Sequence, residues 1–130
     1  MRMARFTRRC FLVHALAPAG TTAREANDQL NAYVADSRRG LSAWHDHFIG
    51  AHGGAVVLDV RSEQESALLN DPGPLAGWDM TVHPLTFSLS SVGFAAQTSF
   101  TLERYRGVSL EDLAAGEADD PRFWWRKKSA

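Results

Sequence analysis

Hydrophobic and polar residues alternate along four stretches of the chain, and each stretch predicts a β-strand. The first, residues 11–17, is apolar at successive positions, which is typical of a central strand covered on both faces. Residues 43–49 and 55–60 predict the second and third strands, and residues 78–83 predict the fourth. Because Pro84 follows directly, we expect the fourth strand to end there or to lie at an edge of the sheet.

Helix-start signals stand between these strands. Thr22 and Glu25 fit a capping box, in which the threonine oxygen accepts a backbone N–H and the glutamate reaches back to the cap. The following helix should run until Gly40, which suits a left-handed stop. Its apolar residues recur at helical spacing, at Ala26, Leu30, Tyr33 and Val34. A second box, Ser62-x-x-Glu65, predicts a short helix through residue 69.

The stretch from residue 43 to residue 60 holds three of the five histidines and predicts a hairpin. Gly53 and Gly54 would permit positive φ in its turn. Alternation would place Trp44, Asp46 and Phe48 on one face of the first hairpin strand, and His45, His47 and Ile49 on the other. Since residues 41–49 are few and mixed in pattern, a helix there is the alternative.

The predicted order is strand, helix, strand, strand, helix, strand. This is the order of an α+β ferredoxin-like βαββαβ domain with an antiparallel sheet. Right-handed crossovers would place both helices on one face, so the other face would be bare in a monomer. Because the first strand is apolar on both faces, we expect a second copy of the chain to cover the bare face, giving a homodimer.

The chain exceeds this minimal fold. We expect a single domain over residues 1–130, with a core at about residues 8–86 and a helical C-terminal extension at residues 87–130. Ser91 and Ser109 would begin its two helices. The last residues interleave aromatic and basic side chains, namely Trp124, Trp125, Arg126, Lys127 and Lys128. We expect this tail to dock across the dimer, with capture of another partner as the alternative.

Residues 60–85 resemble the end of YCII-related proteins. In that family a short helix leads to Asp-Pro, then to a glycine and a last strand that closes on proline. Here Asp71-Pro72-Gly73 stands at the first of these positions, and Pro84 closes the strand that begins near Trp78. The wider group is the dimeric α/β-barrel superfamily, which includes antibiotic-biosynthesis monooxygenases and muconolactone isomerases. In strand order the resemblance covers residues 8–86.

The resemblance implies a dimeric barrel with its ligand between the sheet and the helices. It also implies a His–Asp pair in which Asp71 is the aspartate. Neither His14 nor His45 aligns with the histidine of that pair.

Two constellations suggest chemistry directly. His45 and His47 would project to one side of a strand, and His52 in the turn would complete a three-nitrogen set for a divalent metal. We expect no cofactor, with this metal site as the alternative hypothesis. The candidates for proton transfer are His45, His47, His14, His83 and Asp71, because imidazoles and carboxylates can exchange protons near neutral pH.

His14 and His83 would lie on neighbouring strands, and a buried His14 between Leu12 and Leu16 would suit a general base; the alternative is a hydrogen-bonded core histidine. Trp44 and Trp78 would frame a flat organic ligand. Their alternative role is in the core or in the dimer interface.

Composition narrows the possible functions. The net charge of −1 gives no general attraction to nucleic acid or to a membrane. Cys10, the single cysteine, excludes an internal disulfide and favours the reducing cytoplasm. The arginine pair Arg8-Arg9 is typical of an export signal, but His14 interrupts the apolar run behind it. Phosphate-loop and Gly-x-Ser-x-Gly motifs are missing, which disfavours nucleotide-dependent and serine-hydrolase chemistry.

The leading hypothesis is a small-molecule-binding protein of the dimeric α/β-barrel type. Whether it is an enzyme stays open; as one, it would be a cofactor-independent isomerase or monooxygenase acting on an aromatic or polyketide-like compound. The alternatives are metal binding through His45, His47 and His52, and a non-catalytic interaction protein that uses its C-terminal tail.

Overall fold

The computed structural model describes residues 6–123. Within this range four strands, β1 to β4, span Arg9–Leu16, Leu41–His47, Gly53–Val60 and Asp79–Pro84. Four helices, α1 to α4, span Ala23–Ala35, Glu63–Ala67, Ser91–Arg106 and Leu110–Gly116. Short 3-10 helices lie at Ser37–Arg39, Gly73–Leu75 and Pro121–Phe123.

The four strands form one sheet in the order β2-β3-β1-β4, and each neighbouring pair is antiparallel. The predicted α+β class and antiparallel sheet are therefore confirmed, and the topology is compatible with a ferredoxin-like fold. β1 is central, as its apolar composition predicts, and β4 lies at an edge, as Pro84 indicates.

One face of the sheet, the helix face, packs against α1. Thr22 caps this helix by accepting a hydrogen bond from Glu25 N at 3.1 Å. The helix then presents its apolar stripe to alternate residues of the two central strands. The buried core consists of Ala26, Leu30 and Tyr33 from α1, Val13 and Ala15 from β1, Val56, Leu58 and Val60 from β3, and Leu69, Leu75 and Trp78 from the connection to β4.

The predicted ends of the first two helices are wrong. α1 ends at Ala35 rather than near Gly40, because Asp36 adopts an extended backbone and its carboxylate accepts Arg38 N at 3.1 Å. Such a local bond competes with continuation of a helix. Gly40 instead closes the following 3-10 turn at a φ of 128°, and a Cβ there would lie 2.7 Å from Asp59 O. α2 likewise ends at Ala67 rather than at residue 69.

The Gly-Gly pair does not form the hairpin turn, contrary to expectation. Gly53 and Gly54 are the first residues of β3, and the turn before them has positive φ at Gly50. Glycine is required at both positions because neighbouring atoms approach the two backbones too closely for a side chain. A Cβ on Gly53 would collide with the carbonyl of Ala15, and one on Gly54 would lie 2.6 Å from Leu30 Cδ2.

The second face of the sheet, opposite the helix face, is not bare. We call residues 85–94 the strap, because this segment runs from the end of β4 across one end of the second face. Cys10 N donates to Ser88 O at 2.8 Å, and Ser91 N donates to Asp59 Oδ2 at 2.9 Å. The expectation that a monomer leaves this face uncovered is therefore wrong at the end that carries Cys10 and Asp59.

The chain divides into two compact units, Met1–Phe94 and Ala95–Ala130. The first contains the sheet, α1, α2 and the strap. The second contains most of α3 and all of α4, which begin at Ser91 and just after Ser109 as predicted. The tail from Trp124 to Lys128 lies outside the described residues. Within residues 6–123, no helix is long and apolar enough to cross a bilayer.

Candidate functional site

A β-bulge in β2 decides which side chains of this strand reach the second face. Ser42 pairs with Leu58 and Trp44 pairs with Val57, so Ala43 is the extra residue. The hydroxyl of Ser42 lies on the helix side, where it donates to Val34 O at 2.8 Å. Beyond the bulge, strict alternation places Trp44 and Asp46 on the second face and the histidines between them on the helix face, as the pattern predicts.

The strand registers align the second face in rows. One row consists of Asp46, Ala55, His14 and Thr81, taken from β2, β3, β1 and β4 in turn. The next row consists of Trp44, Val57, Leu12 and His83. Because neighbouring strands lie about 4.8 Å apart, Asp46 and His14 are roughly 10 Å apart across the small side chain of Ala55.

His14 and His83 share the second face, one row apart on adjacent strands, so the predicted proximity of their strands is confirmed. The ring of His14 lies 5.2 Å from that of Phe48, tilted by 39°. Both histidines are exposed, whereas Leu12 and Leu16 beside His14 are partly buried. The expectation of a buried His14 is therefore wrong, because β1 is fully covered on only one of its faces at this position.

The two predicted ligand-framing tryptophans are on opposite faces. Trp44 is 43% exposed on the second face, and its ring centroid is 6.5 Å from that of Phe94. Trp78 is buried on the helix side, where its Nε1 donates to Gln29 Oε1 at 2.8 Å. The structure therefore does not bring them together as one aromatic wall.

The three histidines proposed as metal ligands have separate partners. His45 and His47 lie with ring centroids 5.6 Å apart, and His47 Nε2 is 3.0 Å from Asn31 Oδ1 on α1. His52 contacts a different segment, with Nδ1 2.7 Å from Thr21 O. Within residues 6–123, no group of three or more His, Cys, Asp or Glu side chains is placed to hold a metal ion.

Asp71 is held by an arginine rather than by a histidine. Its carbonyl accepts Arg39 Nε at 2.7 Å, and its carboxylate accepts Gly73 N at 2.9 Å and lies 3.7 Å from Arg39 Nη2. Asp71 therefore lies in the connection between α2 and β4, and none of the candidate histidines is among these partners. The His–Asp pair implied by the resemblance is therefore not seen at this aspartate.

The pattern of hydrophobic and polar residues does not indicate that Arg39 is buried. This side chain is only 1% exposed, donates to Asp36 Oδ2 at 2.7 Å and places its guanidinium carbon 4.9 Å from the centre of the Tyr33 ring. Hydrogen bonds from Arg38 and Arg39 hold the pKa of Asp36 well below its usual range. Nothing in the sequence distinguishes Arg39 from its exposed neighbour Arg38.

Asp59 was also missed, although a carboxylate inside a valine-rich strand is a usable signal. Its side chain is fully buried on the second face and accepts Arg8 Nε at 3.1 Å, Arg8 Nη2 at 2.8 Å, and both Ser91 N and Ser91 Oγ at 2.9 Å. Burial raises the pKa of Asp59, but these hydrogen bonds outweigh it, and the pKa lies below its usual value.

Comparison with known proteins gives no match: no protein family, curated protein or solved structure matches this chain. The resemblance to YCII-related proteins therefore depends on the residues quoted above, and the site has to be interpreted from its own geometry.

Proposed function

We propose that this protein binds a small, flat organic molecule on the second face of its sheet. The observation that carries the proposal is the row of Asp46, Ala55 and His14, flanked by the aromatic side chains of Phe48 and Trp44. Ala55 has the smallest side chain of this row and is 9% exposed, so a planar ligand placed over it would lie between a carboxylate and an imidazole. The span of roughly 10 Å suits a bicyclic aromatic compound or a short polyketide-like one.

Proton transfer is the chemistry that this surface supports. Imidazole changes charge near neutral pH, and His14 and His83 lie on one face with Asp46 across the floor. A ligand held over Ala55 would have an acid or base at each edge, which suits an isomerase or a cofactor-independent oxygenation that begins with proton abstraction. His45, His47 and Asp71 have no place in this site.

A homodimer would shield the site. Trp44 is 43% exposed and shares a row with the partly buried Leu12, and exposed apolar surface of this kind favours a protein partner. A second copy placed over the rows of His14 and Trp44 would exclude water from the ligand. Light scattering at micromolar concentration should give the mass of a dimer; a monomeric mass would remove the second copy from the proposal.

Calorimetric titration with 2-naphthoate and with neutral 2-naphthol tests ligand binding. We expect at least one to bind, and His14→Ala to weaken that binding about tenfold by removing a stacking and hydrogen-bonding partner. His45→Ala is the matched control, because His45 is also exposed on the sheet but projects from the helix face. Equal losses in the two variants would contradict the assignment of the site to the second face.

A further inference from the structure

The strap is attached to the sheet in two places, at its root beside β1 and at its tip on the second face. At the root, Leu85 N donates to Cys10 O at 2.9 Å and Cys10 N donates to Ser88 O at 2.8 Å, which continues the pairing of β4 with β1. Arg9 Nη1 also donates to Leu85 O at 2.6 Å. The root is thus fastened along a central strand by backbone bonds.

The tip is fastened by one carboxylate. Asp59 Oδ2 accepts both donors of Ser91, N and Oγ, at the start of α3. A carboxylate at the beginning of a helix is also favoured by the helix dipole. A ring pair of Phe94 and Trp44, with centroids 6.5 Å apart, also joins the tip to the sheet.

Three of the five large apolar side chains of the strap contribute little to its attachment, whereas Leu85 and Phe94 are partly buried. Phe87 is 76% exposed, Val92 is 79% exposed and Leu89 is 47% exposed. Burial of apolar surface is the usual force that holds a segment to a sheet, and here most of that surface remains outside. The closed position of the tip therefore depends mainly on the bonds of Asp59, so that weakening one residue should release it.

We propose that the tip of the strap is a gate over the second face, latched by Asp59, and that its opening admits the ligand to the floor around Val57 and Trp44. This inference rests on the proposed function, because it concerns access to the same face. Val57 and Cys10 are fully buried on this face in the closed arrangement, and Trp44 is partly covered by Phe94. While the strap is closed, a ligand cannot reach the whole row of Trp44, so binding over both rows requires the tip to open.

Cys10 is a native reporter for the opening. It is the single cysteine of the chain, it is buried, and its position directly opposite Asp59 places its side chain on the second face beside the latch. Burial and the nearby charge of Asp59 raise the pKa of the thiol, which keeps it protonated and unreactive when the strap is closed. Opening exposes the thiol to solvent and to a disulfide reagent.

The test measures the rate at which 5,5′-dithiobis(2-nitrobenzoate) labels Cys10 in the folded full-length protein. Asp59→Asn should accelerate labelling about tenfold, and Ser91→Ala, which removes one of the two donors, about threefold. Asp79→Asn is the control, because it neutralises an exposed carboxylate on the same face. Ser91→Ala is the deciding variant, because it keeps the charge of Asp59 and hence the effect of that charge on the pKa of the thiol. It also keeps the test valid if Asp59→Asn fails to fold.

Urea denaturation of the same variants gives their global stability. The gate would be overturned if the labelling rate of the latch variants did not change. It would also be overturned if that rate rose only as much as their loss of global stability predicts. Labelling that accelerates beyond this limit in both latch variants and not in Asp79→Asn supports it.

A second measurement links the gate to the ligand. If the tip must open for binding, the apparent Kd for 2-naphthoate should fall in Ser91→Ala by the same factor by which labelling accelerates. Faster labelling with an unchanged Kd would overturn the role of the strap in access. If neither naphthyl probe binds any variant, the proposed function fails, while the labelling rates still decide whether the strap opens.

Discussion

The two faces of the sheet are held by different forces. The helix face is closed by apolar side chains, such as Leu30 of α1 against Val56 and Leu58 of β3, and these are fully buried. The second face is closed at one end by a buried carboxylate, Asp59, and elsewhere carries exposed histidines and a half-exposed tryptophan. The same strands thus contribute apolar packing through one face and exposed polar side chains through the other.

The difference follows from what covers each face. The helix face is held by many weak apolar contacts, so no single group keeps it closed. The few strong polar contacts on the second face can be lost together when one group changes. Variants on the helix face should therefore affect folding, and variants on the second face should affect mainly binding and access.

The largest effect is expected from Leu30→Ala in the centre of the helix face. Leu30 is fully buried, and its Cδ2 lies against Gly54, so truncation leaves a cavity. We expect a loss of about 2–5 kcal/mol in the free energy of unfolding, measured by urea denaturation. Leu113→Ala on α4, where the leucine is 41% exposed, is the control and should change stability by less than about 1 kcal/mol. Similar losses in both variants would contradict the assignment of the core.

A smaller loss of stability is expected from Arg39→Ala, which breaks the cluster that buried Arg39 forms with Asp36, Asp71 and Tyr33. The variant loses the bonds to Asp36 and Asp71 and the packing on Tyr33. We expect its free energy of unfolding to fall by about 2–3 kcal/mol, measured by thermal and urea denaturation. Arg39→Lys should recover only part of this, because one amine cannot replace the guanidinium fork.

The matched control for Arg39→Ala is Arg38→Ala, since Arg38 binds the same carboxylate of Asp36 from an exposed position. We expect little change in stability there, because exposed ion pairs are screened by solvent. Equal losses at the two arginines would show that burial of Arg39 is not what matters.

The smallest stability effect concerns the second face and is lost in acid. The pKa of Asp59 is lower in the folded protein than its usual value of about 3.9, so ionised Asp59 stabilises the fold above about pH 4. This contribution is lost as the pH falls through the folded pKa. The difference in urea midpoint between the wild type and Asp59→Asn should therefore shrink between pH 6 and pH 3. A difference that stays constant with pH would contradict the ionised latch.

Much of the fold could be predicted because its signals are local. The alternation in residues 55–60, the capping box at Thr22 and the stripe through Leu30 each depend on residues within one turn or one strand, and the structure contains all three elements. The errors lie at element ends. α1 stops early because the carboxylate of Asp36 binds the next turn, and the Gly-Gly pair belongs to β3 because the Ala15 carbonyl approaches it closely.

Less of the candidate site could be predicted. The strand order predicted that His14 and His83 would be near each other, and alternation correctly placed Trp44 and Asp46 on one face. The row that joins Asp46 to His14 across Ala55 depends on the register of three strands, which no local pattern specifies. The sequence pattern places residues 87–94 of the strap in an extension beyond the core of the domain, since neither Ser91 nor Phe94 shows in the sequence that it meets the sheet.

The sequence by itself determined the α+β class, the strands and the main helices, because periodicity and caps act over a few residues. The tertiary structure alone decided that Arg39 is buried while Arg38 is not, that Asp59 latches the strap, and that Trp44 and Trp78 lie on opposite faces. The physical reason is the same in each case. Burial, pairing and register are set by residues distant in the chain, and a side chain's chemistry follows from those neighbours rather than from its place in the sequence.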